Sequence, residues 1–133
     1  MVIDSSALIT ILRKEPEADA FLRAIERDPV RLMSAMTKLE TSMVAMGLRD
    51  RAGALEVDAL LAKIAAIVMP FDEHHADLAR EAFARFGRGR HPAALNFGDC
   101  AAYALAIAEA EPLLFKGTDF GATDVEVVEL GAN

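Results

Sequence analysis

A single cysteine, Cys100, excludes an internal disulfide framework, and one thiol in 133 residues fits a reducing compartment. No apolar run approaches the ~20 residues of a membrane span. Asp4 interrupts the place where a secretory leader carries its apolar stretch. A cytoplasmic protein with no membrane segment is therefore expected. Positive charge is also scarce: 14 Lys and Arg stand against 21 Asp and Glu, a net charge of −7. A general nucleic-acid coat wants a basic face, so that class is disfavoured. An enzyme that engages phosphates through a bound cation and a local basic loop is not. What is present is ordinary for a globular chain, 53% hydrophobic and 26% charged. A chain of this length buries roughly two-thirds of its unfolded surface, enough for a real core. With no internal repeat or linker, one domain is expected over residues 1–130, with 131–133 a short frayed tail.

Apolar runs and helical periodicities alternate along the chain. Met1–Asp4 reads as a first strand, with Ser5 and Ser6 able to cap a short helix over Ala7–Arg13. Pro16 suits the first turn of a second helix, whose face is Ala18, Phe21, Leu22 and Ile25, and Asp28-Pro29 breaks it. Val30–Ala35 is a second strand. Thr37-Lys38-Leu39-Glu40 then spells a capping box for the next helix. After Gly53 another amphipathic helix follows, with Val57, Leu60, Leu61 and Ile64 on its face. Ala66–Phe71 reads as an internal third strand, and Ala76, Ala79, Phe83 and Phe86 mark one face of a helix behind it. Leu113–Phe115 is a buried strand, and Val125–Val128 a last short one. Strands alternating with helices favour a parallel sheet covered on both faces, an α/β domain.

Carboxylates recur where strand-like runs give way to helix starts or turns: Asp4, Glu40, Asp99 and Asp119. Asp99 stands three residues after Asn96, a good N-cap, so it can reach back to the cap. Glu40 can likewise cap its own helix. In open α/β sheets, however, ligand sites collect outside the carboxyl ends of strands. Four acids converging there repel one another, and a divalent cation is their natural partner. Hard oxygen ligands suit Mg²⁺, with Mn²⁺ as a substitute, and such a site serves phosphodiester hydrolysis. Thr118, beside Asp119, can orient a water or simply cap a turn.

These segments resemble the PIN-domain family in its VapC toxin branch. The resemblance is carried by Val2-Ile3-Asp4-Ser5-Ser6-Ala7, Thr37-Lys38-Leu39-Glu40, Leu95-Asn96-Phe97-Gly98-Asp99-Cys100 and Leu113-Leu114-Phe115-Lys116-Gly117-Thr118-Asp119-Phe120, in order over nearly the whole chain. It implies a three-layer PIN-like fold with a central, mostly parallel five-stranded sheet flanked by helices. It implies a Mg²⁺-dependent endoribonuclease, the toxin of a bacterial type II toxin–antitoxin pair, with Asp4, Glu40, Asp99 and Asp119 as catalytic and metal-binding acids. Asp4 and Asp99 are its expected direct ligands. A homodimer, an RNA substrate and a VapB-type antitoxin are implied as well. The antitoxin is expected to place a basic residue among the acids and to cover apolar surface from Ala18–Ile25 and Leu55–Ile64. The competing reading is a catalytically silent module that binds RNA or a protein partner.

The one basic patch is Arg85, Arg88, Arg90 and His91, in and beside a glycine-broken loop. It is either a solvated loop or a phosphate clamp, and Arg88 and Arg90 are the substrate-binding candidates. His74 and His75 point about 100° apart on a helix and read as solvated. Cys100 reads as a small core residue, Tyr103 as packing, and Asp72 and Asp124 as surface or turn acids.

Overall fold

β1 (Val2–Ile3) runs through a parallel four-stranded sheet of order β3-β2-β1-β4, with β2 at Leu32–Ser34, β3 at Ile67–Met69 and β4 at Leu113–Leu114. The computed structural model describes residues 1–131; of the expected tail, Ala132 and Asn133 lie outside the described residues. The strands alternate faces residue by residue, as the pleat requires. Ile3, Met33 and Leu114 join one core with α1 (Ser5–Leu12), α2 (Ala18–Arg27) and α3 (Ala35–Lys63). Val2, Leu32 and Leu113 join the other, with α4 (Glu73–Phe86) and α5 (Phe97–Glu109). Each fully buried Leu or Ile here stabilises the fold by about 1.5–3 kcal/mol. The three expected layers are present.

The sheet has four strands rather than five. Val125–Val128 makes only a single parallel bridge, Leu113 to Val127, in which Leu113 N–H donates to Glu126 and Val128 N–H to Leu113. β3 is also not internal: it is an edge strand, with Ile67 60% exposed. An apolar run marks a strand but not its place in the sheet.

α3 is broken at Arg49 and Asp50, where Asp50 takes φ +50°. Lys38 lies 3.5 Å from Asp58, although twenty residues of straight helix would separate them by about 30 Å. The two halves therefore fold back on each other. Gly53 makes the close approach possible, since a Cβ there would fall 2.1 Å from the Ala45 carbonyl oxygen. On α4 the buried side chains are His75, Ala82 and Phe86, with Ala79 partly buried, a face one step round from the expected one; Phe83 is outside. His75 is thus buried rather than solvated, while His74 is exposed.

Candidate active site

β1 lies between β2 and β4, so the chain leaves it in one direction and returns on the other side. Such a switch point opens a crevice at the strands' carboxyl ends. Asp4 sits there as the N-cap of α1: its Oδ2 accepts from Ser6 N–H at 3.0 Å and from the Ser6 hydroxyl at 2.6 Å. The Ser6 oxygen in turn accepts from Lys116 N–H at 3.0 Å, joining the loops after β1 and β4. Asp4 itself is the cap, with Ser6 as its donor, so the sequence pointed to Ser6 but not to this role. Oδ1 of Asp4 is buried with no hydrogen-bond partner among the described residues.

Glu40 does not cap its helix. α3 begins earlier than the Thr37 pattern suggests: Ser34 is the N-cap, accepting from Met36 N–H at 3.2 Å, and Thr37 lies inside the helix. Glu40 is thereby a full turn in, free to face α5. Its carboxylate lies over Gly98, where a Cβ would stand 2.1 Å from Oε2, and its Oε1 is a second buried oxygen with no partner. Gly98 is the residue whose need the sequence did not reveal, because the partner it accommodates is 58 positions away.

Asp99 completes the expected capping box: Asn96 Oδ1 accepts from Asp99 N–H at 2.9 Å, and Asp99 Oδ2 accepts from Asn96 N–H at 3.0 Å. The cap uses Oδ2 of Asp99 and leaves Oδ1 outside the capping box. Asp119 is exposed, just before a short 3₁₀ turn (Phe120–Ala122) that Phe120 anchors by packing 5.0 Å from Phe115. Thr118 is exposed beside it.

The acids sense one another. Burial pushes the Asp4 carboxyl up to about 6, against the two Ser6 hydrogen bonds, and the charges of Asp99 and Glu40 add to the rise. Burial also raises Asp99, opposed by the Asn96 N–H; Glu40 and Asp119 raise it further and Arg88 lowers it. Among the described residues no three His, Cys, Asp or Glu side chains are drawn close enough to hold a metal ion between them. The donor chemistry nevertheless fits a hard cation: two buried carboxylate oxygens have no hydrogen bond to satisfy them. Mg²⁺ takes one or two carboxylates and keeps several waters, so it needs no closed protein cage.

The basic patch divides. Arg88 N–H donates to Leu95 and Leu95 N–H to Phe86, closing the loop at its base and setting Arg88 beside the Asp99 helix start. Arg90 lies 5.6 Å over the Phe83 ring, and Arg85 pairs with Asp124 at 3.2 Å. Asp124 also accepts from Tyr103 at 2.6 Å, so it belongs to that pairing. Cys100 is buried, its thiol pushed up to about 11. The helix faces expected to meet a partner are largely consumed by the core: Phe21, Ala24, Ile25, Val57, Leu60 and Ile64 are buried, and Leu55 alone among the large ones stands 67% exposed.

A family model for the PIN domain matches residues 1–126. The chain is 46% identical over 128 residues to "Ribonuclease VapC" of Mycolicibacterium smegmatis, covering 96% of this chain and 99% of that one. It is 48% identical over 127 residues to "Ribonuclease VapC28" of Mycobacterium tuberculosis, covering 95% and 96%. In fold it is similar to the Mycobacterium tuberculosis VapC20 crystal structure, titled a Sarcin-Ricin loop cleaving toxin, with TM-score 0.72, 17% identity and coverage of 96% and 98%. It is similar also to VapBC2 from Rickettsia felis bound to a promoter DNA fragment, with TM-score 0.71, 14% identity and 96% of each chain covered. Among the described residues no helix is long and apolar enough to cross a membrane.

Proposed function

Because this chain belongs to the PIN-domain family, in its VapC ribonuclease branch, we propose that it is a Mg²⁺-dependent endoribonuclease, the toxin of a type II toxin–antitoxin pair, working through Asp4, Glu40, Asp99 and Asp119. The observation that supports this most is the pair of buried, unpartnered oxygens on Asp4 and Glu40 beside a third carboxylate. A fold tolerates such like charges for function rather than for stability. Bound Mg²⁺, or Mn²⁺ in its place, supplies charge for the phosphoryl group and activates a water. Asp4 and Asp99 would hold it directly, and Glu40 and Asp119 through water. Ser6 keeps Oδ2 of Asp4 occupied and so presents Oδ1. Thr118 orients water, and Arg88 engages a substrate phosphate at the rim.

The deciding experiment is cleavage of total cellular RNA with and without Mg²⁺, the new ends being mapped. Asp99→Asn keeps an oxygen for the Asn96 N–H and is expected to abolish cleavage while the protein stays folded. Cutting by this variant at the wild-type rate would overturn the assignment. That no three acids among the described residues stand close enough to hold a metal ion between them favours a second reading, a silent module that binds RNA or a protein partner; RNA binding without metal-dependent ends would select it. In the same assay series, Arg88→Ala is expected to weaken RNA affinity and to lower the salt slope by about 1, as loss of one phosphate contact does. Arg90→Ala, already over Phe83, should change neither.

The partners proposed with this activity are a second copy of the chain, read by sedimentation, and a VapB-type antitoxin whose basic side chain enters the acid pocket. Arg suits that pocket, since its planar fork engages two acids at once. An antitoxin with its C-terminal basic residues changed to Ala is expected to inhibit cleavage less than the intact one. Equal inhibition would move the blocking contact elsewhere.

A further inference from the structure

Phe97 is 77% exposed, more than any other large hydrophobic side chain among the described residues. It is the first residue of α5, between the Asn96 cap and Gly98, two positions before Asp99. Beside it lies a hollow of about 430 Å³, lined by Phe97, Leu39, Met43, Val44, Glu40 and Gly98 among others. Glu40 and Gly98 border this hollow and the acid site together, so the two are continuous.

From this continuity we propose that Phe97 and the hollow form a nucleobase subsite, taking the base of a single-stranded nucleotide next to the scissile phosphate. The proposal rests on the ribonuclease reading and adds where the substrate is gripped. Position supplies the reason for choosing a base over a second protein: the hollow shares Glu40 and Gly98 with the acid site, where the substrate's phosphodiester must lie. Arg88, whose charge lowers Asp99, stands at the same helix start as the phosphate contact proposed above. Single-strand binders combine such backbone contacts with bases stacked on aromatic side chains. Phe83, also partly exposed, already carries Arg90 over its ring. Phe97 offers an open ring face at the acids, with the Asn96 amide and the Glu40 carboxylate at hand for the base's polar edge.

Stacking and ion pairing respond differently to salt, and the test uses that difference. Short oligoribonucleotides carrying 2-aminopurine at successive positions are titrated with the full chain in EDTA, which prevents metal-dependent cutting. For Phe97→Ala and Phe97→Leu the expected loss of affinity is about tenfold to a hundredfold, from the usual worth of one stacked base. The salt slope should be unchanged, in contrast to Arg88→Ala, and quenching of the fluorescent base should be lost. Phe97→Tyr should bind within about threefold of wild type, since it keeps the π face. An exposed residue can be changed in these ways without unfolding the protein. Three results would overturn the proposal: Phe97→Leu binding as wild type, Phe97→Ala binding as wild type, or Phe97→Ala lowering the sedimenting mass with unchanged affinity per chain. The last would make this face a contact between copies. A wild type that binds and quenches but never cuts would sink the ribonuclease reading and leave the subsite standing. A wild type that binds no single-stranded RNA would sink both.

Discussion

Asp4→Asn is expected to abolish cleavage and, in the metal-free protein, to raise the melting temperature. Both effects come from the same burial. The folded protein holds the Asp4 proton up to about pH 6, against an ordinary value of 3.8. Between those values the folded state binds more protons than the unfolded one, so stability falls as pH rises. Below about pH 4 both states are protonated and the penalty is absent. Above about pH 6 it is complete, and a shift of about 2 pKa units corresponds to about 3 kcal/mol. The amide of Asn carries no charge to bury, and its oxygen still accepts from Ser6. The variant should therefore melt up to about 10 °C above wild type at pH 7.5, with the difference closing toward pH 4. Mg²⁺ should raise the wild-type melting temperature at pH 7.5 and not that of the variant. Scanning calorimetry of both proteins at the two pH values checks this. A variant less stable than wild type at pH 7.5 would mean that Asp4 is compensated by a group other than those described.

Gly98→Ala is expected to separate stability from activity. The added Cβ would meet the Glu40 carboxylate at 2.1–2.6 Å, but that carboxylate is the far end of a flexible side chain and can swing aside. Gly98 has no left-handed backbone to strain, and Ala in a helix is favoured over Gly by about 1 kcal/mol. The variant should fold and melt near or above wild type. Glu40, however, leaves its place beside Asp4 and Asp99. A misplacement of about 1 Å in a catalytic constellation costs on the order of a hundredfold in rate. Glu40→Asp, shorter by one methylene, should lose activity alone, yet Gly98→Ala should cost little more on top of it. That non-additivity, measured as a double-mutant cycle on cleavage rate, is the signature of direct contact. Two independent, fully additive losses would show that Gly98 acts elsewhere.

Local chemistry was legible in the chain. The Asn96–Asp99 capping box is a matter of three residues and two hydrogen bonds, and it formed as written. The alternation of apolar runs with helical faces led to a parallel α/β sheet, because that pattern has few other ways to bury both kinds of surface. Asp4 at the end of β1 was legible for a similar reason, since the apolar run stops there. The breaks at Asp28-Pro29 and near Gly53 were visible as well.

Other outcomes turned on contacts distant in sequence. Thr37-x-x-Glu40 satisfies the capping rule as well as Ser34 does, but β2 ends at Ser34 and the helix starts there, which carries Glu40 inward. The edge position of β3 and the reduction of Val125–Val128 to one bridge depend on sheet order, to which an apolar run is blind. The buried face of α4 is set by what α5 presents, so periodicity alone placed it one step out. Arg88 and Arg90 are indistinguishable as letters; closure of the loop against Leu95 sets one beside Asp99, while the other rests on Phe83. Sequence alone determined where the carboxylates stand along the chain. The sequence showed the cap that occupies one oxygen of Asp99; only the tertiary structure decided that Asp4 is itself a cap, that no cap occupies Glu40, and that burial makes the charges of Asp4 and Asp99 costly. The reason is that capping is satisfied within a turn of helix, whereas desolvation and repulsion exist only once distant segments have closed around the same point.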